Sequence, residues 1–241
     1  MASIKELHYH FKLNMDRVDS LANPDLNPLE IDLLLNEAQL IFIKQRMGLN
    51  NSKKAGFETS QKRIDDLANL VVKYPLQPHM TPVEVSTGLY EVDLTKTVLP
   101  YLFLVNAYAL VEESEDCTRR VNLKFTQHDD FNETLRDPFN KASKVSIPYN
   151  FGRNSTNTGS SMYLYTTQVV TSVALEYVKL PSKVSLGTYT YMDGLVYPAK
   201  SFETAEHTHL EIVDIACQLA ARNIENPEYI SVRDQKTLIH E

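Results

Sequence analysis

The sequence predicts an α+β protein in which helices from both ends of the chain form one domain and an antiparallel β domain is inserted between them. Apolar residues recur at helical spacing over Pro28–Met47. Over Pro82–Tyr191 they alternate with polar residues, as in half-buried strands. Helical spacing then returns near the end of the chain. The predicted domains are residues 1–80 together with 205–241, which are helical, and residues 81–204, which are β.

The first predicted helix, Pro28–Met47, has clear boundaries. Asn27 is a capping residue, Glu30 completes the capping pattern, and Gly48 is a typical stop. The apolar residues of this helix form two stripes on opposite sides. The first stripe is Ile31, Leu34, Leu35, Ala38, Ile41 and Phe42, and the second is Leu29, Leu33, Leu40, Ile43 and Met47. Because a single core covers a single face, we expect the second stripe to pack against another domain or another subunit.

A second helix is predicted from about Glu58 to Tyr74, and Pro75 and Pro78 end it. Since a short loop joins it to the first helix, the two should form an antiparallel hairpin in which it covers one stripe. Its own apolar residues are Phe57, Ile64, Leu67, Ala68 and Val71.

A third helix begins after Thr208, where Glu211 completes a Thr-x-x-Glu capping box. We expect it to pack on the hairpin and complete a three-helix domain. Residues 4–13 alternate loosely and predict an extended arm or an edge strand, and residues 228–241 predict a second arm. The apolar faces of the third helix are Leu210, Val213, Cys217, Ala220 and Ile224 on one side and Ile212, Ile215 and Leu219 on the other.

The β domain should contain several strands rich in β-branched and aromatic residues. The clearest one places Val121, Leu123 and Phe125 on one face, with polar residues between them. A short helical turn is predicted within Asp129–Asn140, and a polar loop or hairpin tip within Asn150–Ser161. Further strands are expected around Tyr90–Leu94, Tyr101–Val111, Val145–Ile147, Met162–Leu180 and Val184–Leu186.

Composition and charge narrow the function classes. The chain has 241 residues, of which 43% are hydrophobic and 23% charged, as is typical of a soluble globular protein. The net charge of −7 arises entirely after residue 75, which disfavours sequence-specific DNA binding because such binding needs a basic footprint. Cys117 and Cys217 form no CxxC motif, so a reducing cytoplasm is expected. Neither a signal peptide nor a membrane span is visible.

Two histidine pairs, His8/His10 and His207/His209, have the i, i+2 spacing with which strand residues can share a metal ion. No carboxylate or cysteine lies at zinc-site spacing and HExxH is absent, so capping or solvent-exposed histidines are the favoured interpretation. A metal-dependent hydrolase that uses His207, His209 and Asp129 is an alternative hypothesis.

Other residues with the chemistry of a functional site are also better explained by structural roles. His128-Asp129-Asp130 has the residue types for acid–base chemistry, but it also fits a strand end followed by a capped turn. The acidic run 112–116 lacks EF-hand spacing and fits a solvated hairpin tip. No GxSxG motif is present, and Cys217 is predicted to be inert core. The sequence therefore predicts no catalytic, cofactor-binding or metal-binding residue, and no cofactor.

The many tyrosines have two interpretations. They have the chemistry of a platform that stacks sugars or bases, but their β setting favours packing and subunit interfaces. These residues are Tyr90, Tyr101, Tyr108, Tyr163, Tyr165, Tyr177, Tyr189, Tyr191 and Tyr197.

Three blocks of sequence carry a family resemblance. They are LEIDLLLNEAQLIFIKQR at 29–46, GFETSQKRIDDLANLV at 56–71 and EHTHLEIVDIA at 206–216. Together with the Asp137-Pro-Phe-Asn turn, they resemble the ring, or head-to-tail connector, proteins of crAss-like tailed bacteriophages. None of these blocks is a catalytic motif. In that family such subunits stack as rings below the portal and lengthen the DNA channel.

The resemblance implies a non-enzymatic virion structural protein that is assembled in the host bacterial cytoplasm. It implies a homo-oligomeric ring of about 12 copies, in which each subunit presents two different surfaces to its neighbours. The ring would contact the portal protein and adjacent ring or tail proteins, without a membrane. Genomic DNA would pass through without sequence-specific binding, which suits the acidic bias of the chain.

Three alternatives stay open. The first is that the chain belongs to the capsid or the tail tube of a phage. The second, from a different class, is the metal-dependent hydrolase described above. The third is a cytoplasmic adaptor that binds another protein through the exposed stripe of the first helix.

Overall fold

Helices from both ends of the chain and one eight-stranded sheet make up the structure, which confirms the predicted α+β class. The structure is a computed structural model and describes residues 3–18, 26–47, 61–114, 117–154, 159–187, 189–190, 194–196 and 198–223. In chain order, the helices are α1 (Ile4–Val18), α2 (Pro28–Met47), α3 (Gln61–Leu67), α4 (Phe131–Arg136) and α5 (His209–Asn223). The strands are β1 (Val71–Val72), β2 (Val83–Ser86), β3 (Leu89–Asp93), β4 (Tyr101–Ser114), β5 (Cys117–Phe125), β6 (Ser146–Arg153), β7 (Ser160–Tyr165) and β8 (Val170–Lys179).

The chain divides into two units. The first is Met1–Leu70 with Pro181–Glu241, and the second is Val71–Leu180. The predicted boundaries, 80/81 and 204/205, differ from these for local reasons. Val71 and Val72 pair with β8 as a strand, and the segment after Leu180 is hydrogen-bonded to α2.

Residues 4–13 lie in a helix, so the prediction of an extended arm or edge strand is wrong. A capping box begins α1: the Ser3 N–H donates to Glu6 Oε2 at 3.2 Å, and the Glu6 N–H donates to Ser3 Oγ at 3.3 Å. The apolar residues then follow helical rather than strand spacing. The buried ones are Ile4, Leu7, Phe11 and Met15.

The predicted bounds of α2 are confirmed, and the Glu30 carboxylate accepts a hydrogen bond from the Asn27 N–H at 2.8 Å. Its burial differs from the two-stripe prediction, because one continuous arc is buried and includes polar residues. The arc is Ile31, Asp32, Leu35, Ala38, Gln39, Phe42, Ile43 and Arg46. The remaining stripe residues, including Leu33 and Leu40, are half-buried.

α3 is shorter than predicted. It ends at Leu67, a 3-10 turn covers Ala68–Leu70, and the chain then enters β1, so the predicted end at Tyr74 is wrong. Of its predicted stripe, Ile64 is exposed, and Phe57 lies outside the described residues. The described part of α3, Gln61–Leu67, covers little of α2, whose main packing partner is α5.

α5 packs against both α1 and α2. The predicted capping box at its start is wrong, since the Thr208 hydroxyl donates to the Ala205 carbonyl at 2.7 Å and the Glu211 carboxylate binds Arg46. Cys217 is fully buried, as predicted, whereas Leu210 is exposed. The predicted arm at 228–241 lies outside the described residues.

The sheet of the second unit has the order β1-β8-β4-β5-β6-β7-β3-β2. Its neighbouring strands are antiparallel except β5 and β6, which are parallel. The prediction of a purely antiparallel domain is therefore wrong at this pair. The connection between the two strands is long enough to return to the same end of the sheet and contains α4, which confirms the predicted helical turn.

Three other predicted β features have mixed outcomes. The β5 strand is confirmed, with Val121 buried and Phe125 half exposed at its end. Asn150–Arg153 belongs to β6 and pairs with β7, so this region is a hairpin rather than a loop; residues 155–158 lie outside the described chain. The prediction of a strand at Val184–Leu186 is wrong, because only an isolated bridge forms there, between Ser185 and Lys200.

Residues 73–82 connect the two edge strands of the sheet. After β1, Met80 pairs with Val173 of β8, and the chain then enters β2 at the opposite edge. The sheet is accordingly curled around an apolar core. The core includes Val92, Ala109, Val121, Ile147, Met162, Leu164, Val173, Leu175 and Tyr177.

Candidate functional site

His8 and His10 do not share a ligand-binding face, because they lie on a helix. The Nε2 atom of His8 is 2.6 Å from Oδ1 of Asp32, and both side chains are buried. His10 is half-buried. The contact therefore joins α1 to α2 inside the first unit.

Asp32 and Asn36 hold an extended segment against α2. The second carboxylate oxygen of Asp32 accepts a hydrogen bond from the Leu186 N–H at 2.8 Å. The Asn36 side chain accepts from the Val184 N–H at 2.7 Å and donates to the Val184 carbonyl at 2.9 Å. This arrangement, the α2 clamp, satisfies backbone groups that would otherwise be buried without partners.

A charged cluster joins α2, α3 and α5. Arg46 Nε lies 2.8 Å from Asp66 Oδ2, and Arg46 Nη2 lies 2.6 Å from Glu211 Oε2. Arg46 also lies over the Phe42 ring, 4.5 Å from its centroid. His207 Nε2 contacts the other oxygen of Asp66 at 2.7 Å. Arg46 belongs to neither of the two predicted apolar stripes, so the cluster was not predicted from the sequence.

His209, two residues after His207, is buried but has different partners from those of the charged cluster. Its Nε2 lies 3.2 Å from the Thr204 carbonyl, and its ring packs on Phe202 at 5.4 Å. Burial lowers the pKa of this imidazole below its usual range, which favours the neutral ring. Within the described residues, Nδ1 of His209 and Oγ1 of Thr204 have no hydrogen-bond partner.

The residues of the hydrolase hypothesis have separate partners. His207 binds Asp66 and His209 binds Thr204, in the first unit, whereas Asp129 belongs to the second unit and is exposed. His128 Nε2 lies 2.6 Å from the Phe151 carbonyl. Among the residues that the structure describes, no three His, Cys, Asp or Glu side chains are grouped to hold a metal ion.

The acidic run at the β4–β5 turn is partly paired. Glu113 lies 2.5 Å from Arg119 and 3.9 Å from Lys144, while residues 115–116 lie outside the described chain. The pairing of Glu112 with Thr118 confirms that this run forms a hairpin end.

The tyrosines are dispersed rather than aligned on one platform. Tyr177 is fully buried, and its hydroxyl donates to the Leu99 carbonyl at 2.9 Å. Burial raises the pKa of Tyr149 to about 12. Tyr108 instead carries the Arg120 guanidinium 3.8 Å above its ring, and Tyr165 packs on Phe131. Tyr191 and Tyr197 lie outside the described residues.

One cavity of about 430 Å³ opens in the second unit, between the edge-strand connector and β3. Its lining combines exposed apolar side chains with two carboxylates and the Lys96 ammonium. Glu91 is buried and accepts a hydrogen bond from the Ser161 hydroxyl at 2.8 Å. The lining includes Met80, Val83, Glu91, Asp93, Lys96 and Val98. The sequence analysis missed the cavity because its walls come from separate segments.

A rigid turn displays Phe139, which is 92% exposed. The Asp137 carboxylate accepts from the Phe139 N–H at 2.9 Å and also binds the Asn140 side chain. These bonds lower the pKa of Asp137. The Lys124 ammonium donates to Asn140 Oδ1 at 2.7 Å and ties the turn to β5. The turn therefore holds an aromatic ring in solvent on a fixed backbone.

No protein-family model matches the chain, and no curated protein is similar to it. Among the described helices, none combines the length and the apolar character that crossing a membrane requires.

Proposed function

We propose that the chain is a non-enzymatic virion structural protein, one subunit of a homo-oligomeric ring in the portal–tail connector of a tailed bacteriophage. The proposal starts from the three sequence blocks that resemble the ring proteins of crAss-like phages. In this chain the blocks lie in α2, in α3 with the turn that follows, and in α5. These three elements belong to the first unit, whereas the Asp137 turn that completes the resemblance lies in the second unit.

The observation that carries the proposal is that large apolar side chains stay exposed on several different elements. Tyr9 and Leu13 lie on the outer side of α1, Val83 lies on edge strand β2, and Phe139 lies on the rigid turn. A closed ring requires each subunit to present two different patches, one to each neighbour. Exposed apolar side chains on separate elements are compatible with that requirement.

The charge of the chain also suits a channel that conducts DNA. Binding to DNA is driven largely by neutralising phosphates with Lys and Arg. A net charge of −7 disfavours such binding, so DNA would move through the ring without being held.

The test is to co-express the chain with the portal protein encoded in the same phage genome. Ring particles with the rotational symmetry of the portal, seen by electron microscopy, are the expected result. Monomers in the absence of the portal are compatible with the proposal, since assembly can require the portal as a template. The proposal is wrong if the chain binds neither the portal nor tail components, both in co-expression and in purified virions. A position on the capsid or in the tail tube would instead support those alternatives.

A further inference from the structure

We propose that Phe139 of one subunit inserts into the cavity between β3 and the edge-strand connector of the next copy. This inference rests on the proposed ring, because it assigns the two surfaces with which neighbouring subunits meet. The Phe139 side chain and the cavity both belong to the second unit, so each copy carries both halves of the contact. Contacts between two different patches repeat head to tail and can close into a ring.

The turn presents Phe139 in a form that suits an interface anchor. Phe139 is the most exposed large apolar side chain among the described residues, and the hydrogen bond from its N–H to the Asp137 carboxylate fixes its backbone. Ordering a flexible loop costs free energy on binding, and a preformed turn avoids that cost. An aromatic side chain buries about 150–250 Å² on insertion. Exposed Leu135 and Val145 lie on segments flanking the turn and extend the apolar surface.

The cavity has the size and the rim that an aromatic anchor needs. Its volume of about 430 Å³ lies within the range of ligand sites in proteins. Val83 and Val98 line it and are 59% and 57% exposed, so part of its apolar wall still faces solvent. Insertion of a phenyl ring would cover these two side chains.

The charges around the two surfaces are complementary, which favours a second copy as the occupant. Exposed Arg136 and Lys141 lie on either side of Phe139, while the Asp137 carboxylate is bonded within its own turn. The cavity lining contains Glu91, which accepts a hydrogen bond from Ser161, and Asp93, which lies 3.9 Å from Lys96 of the same lining. The exposed Glu84 follows Val83 on β2. The basic pair beside the anchor would therefore meet Glu84 at the rim of the cavity. Opposite charges across an interface guide the approach and fix the orientation.

Cysteine cross-linking tests the contact directly. Two proteins are prepared in a Cys117→Ser background, one with Phe139→Cys and the other with Val98→Cys, since Cys117 is exposed. After mixing and mild oxidation, in solution and with the portal present, we expect a disulfide-linked heterodimer, because the contact brings the two β-carbons within about 4.5 Å. Each protein alone should give much less dimer.

The control replaces Val98→Cys with Val169→Cys. Val169 is 55% exposed and lies at the other end of the sheet, beside the β4–β5 hairpin. The inference is overturned if Phe139→Cys links to Val169→Cys as well as to Val98→Cys, or if it links only to itself.

Assembly variants separate this inference from the proposed function. Phe139→Ala should reduce ring particles about tenfold or more, as expected for a central anchor, whereas Val169→Ala should leave them unchanged. Glu84→Lys and Lys141→Glu should each weaken assembly, and the double variant should restore it. If Phe139→Ala forms rings as abundantly as the wild type does, the inference is refuted and the ring proposal stands. Absence of rings from the wild type with its portal would instead refute the ring proposal.

Discussion

The guanidinium of Arg46 and the carboxylate of Asp66 form a buried ion pair, with Nε and Oδ2 2.8 Å apart. The Arg46 side chain is 4% exposed and that of Asp66 is fully buried. The pair lies where the last turn of α2 meets α3, and Glu211 brings in α5 through the second arm of the guanidinium. One arginine therefore fixes three helices that come from both ends of the chain.

Replacing Arg46 should destabilise the helical unit strongly. The variant Arg46→Met keeps much of the packing on Phe42 but removes the guanidinium from the buried Asp66 and leaves Glu211 with the half-exposed Lys62. Removing one partner of a buried pair typically costs about 3–5 kcal/mol. Urea unfolding followed by circular dichroism measures the loss. Lys62→Met is the control, since Lys62 is half exposed and lies 3.4 Å from Glu211, and it should cost less than about 1 kcal/mol. Equal losses in both variants would show that burial of the pair is not decisive.

The α2 clamp predicts a second stability effect. Asn36→Ala removes both hydrogen bonds to the backbone of Val184. A buried donor or acceptor left without a partner costs about 1–3 kcal/mol. The neighbouring Glu37 is exposed, so Glu37→Ala should change the free energy of unfolding by no more than about 0.5 kcal/mol. Faster hydrogen exchange at the Val184 amide in Asn36→Ala would locate the effect at the clamp.

Features of the fold that depend on local signals could be predicted from the sequence, as α2 illustrates. Asn27 and Glu30 mark its beginning within four residues, and their hydrogen bond is present. The same signal, Ser3 with Glu6, marks α1, although residues 4–13 alternate loosely as in a strand. A capping box is the stronger indicator here, because it satisfies specific N–H groups.

Features that depend on distant partners could not be predicted. Arg46 is buried because of Asp66 and Glu211, which lie 20 and 165 residues away along the chain. The parallel pairing of β5 with β6 likewise depends on how the intervening connection crosses the sheet. The two surfaces of the proposed contact differ in the same respect. Phe139 lies in a turn that the sequence resemblance included, whereas the cavity is built from separate segments and has no local signature.

Burial of His209 predicts a loss of stability in mild acid. Because burial lowers the pKa of the folded imidazole, the unfolded chain binds a proton more readily than the folded one. The stabilisation is fully present above the unfolded pKa, near 6.5, and is lost as the pH falls through that value towards the lower folded pKa. Urea unfolding at a series of pH values from about 7.5 to 5 measures the trend.

The variant His209→Gln isolates this contribution. Its amide can still donate to the Thr204 carbonyl but cannot titrate, so the decline towards acid should be smaller than in the wild type. Glu206 and His207 are present in both proteins, so their effects cancel in the comparison. Identical pH profiles would mean that His209 does not contribute.

The hydroxyl of Tyr177 predicts a specific cost inside the sheet. It donates to the Leu99 carbonyl and lies 3.2 Å from Oε1 of Gln77, in a fully buried position. Tyr177→Phe should therefore destabilise the second unit by about 1–3 kcal/mol, since buried groups lose a partner. Tyr74→Phe removes the same atom from an exposed ring and should have little effect. A similar small change in both variants would argue against a structural role for the buried hydroxyl.

Two glycines with the same backbone conformation provide the last prediction. Gly187 and Gly194 both have φ of +78°, in the left-handed region that disfavours other residues. A β-carbon at Gly187 would lie 2.5 Å from the backbone nitrogen of Ala199, whereas at Gly194 it would meet nothing within 4 Å. Gly194→Ala should therefore cost only the conformational strain, about 1–2 kcal/mol, and Gly187→Ala should cost clearly more, because the backbone around Ala199 must move. The difference between the urea unfolding midpoints of the two variants measures the steric cost alone. A larger loss of stability in Gly194→Ala than in Gly187→Ala would contradict the close approach at Gly187.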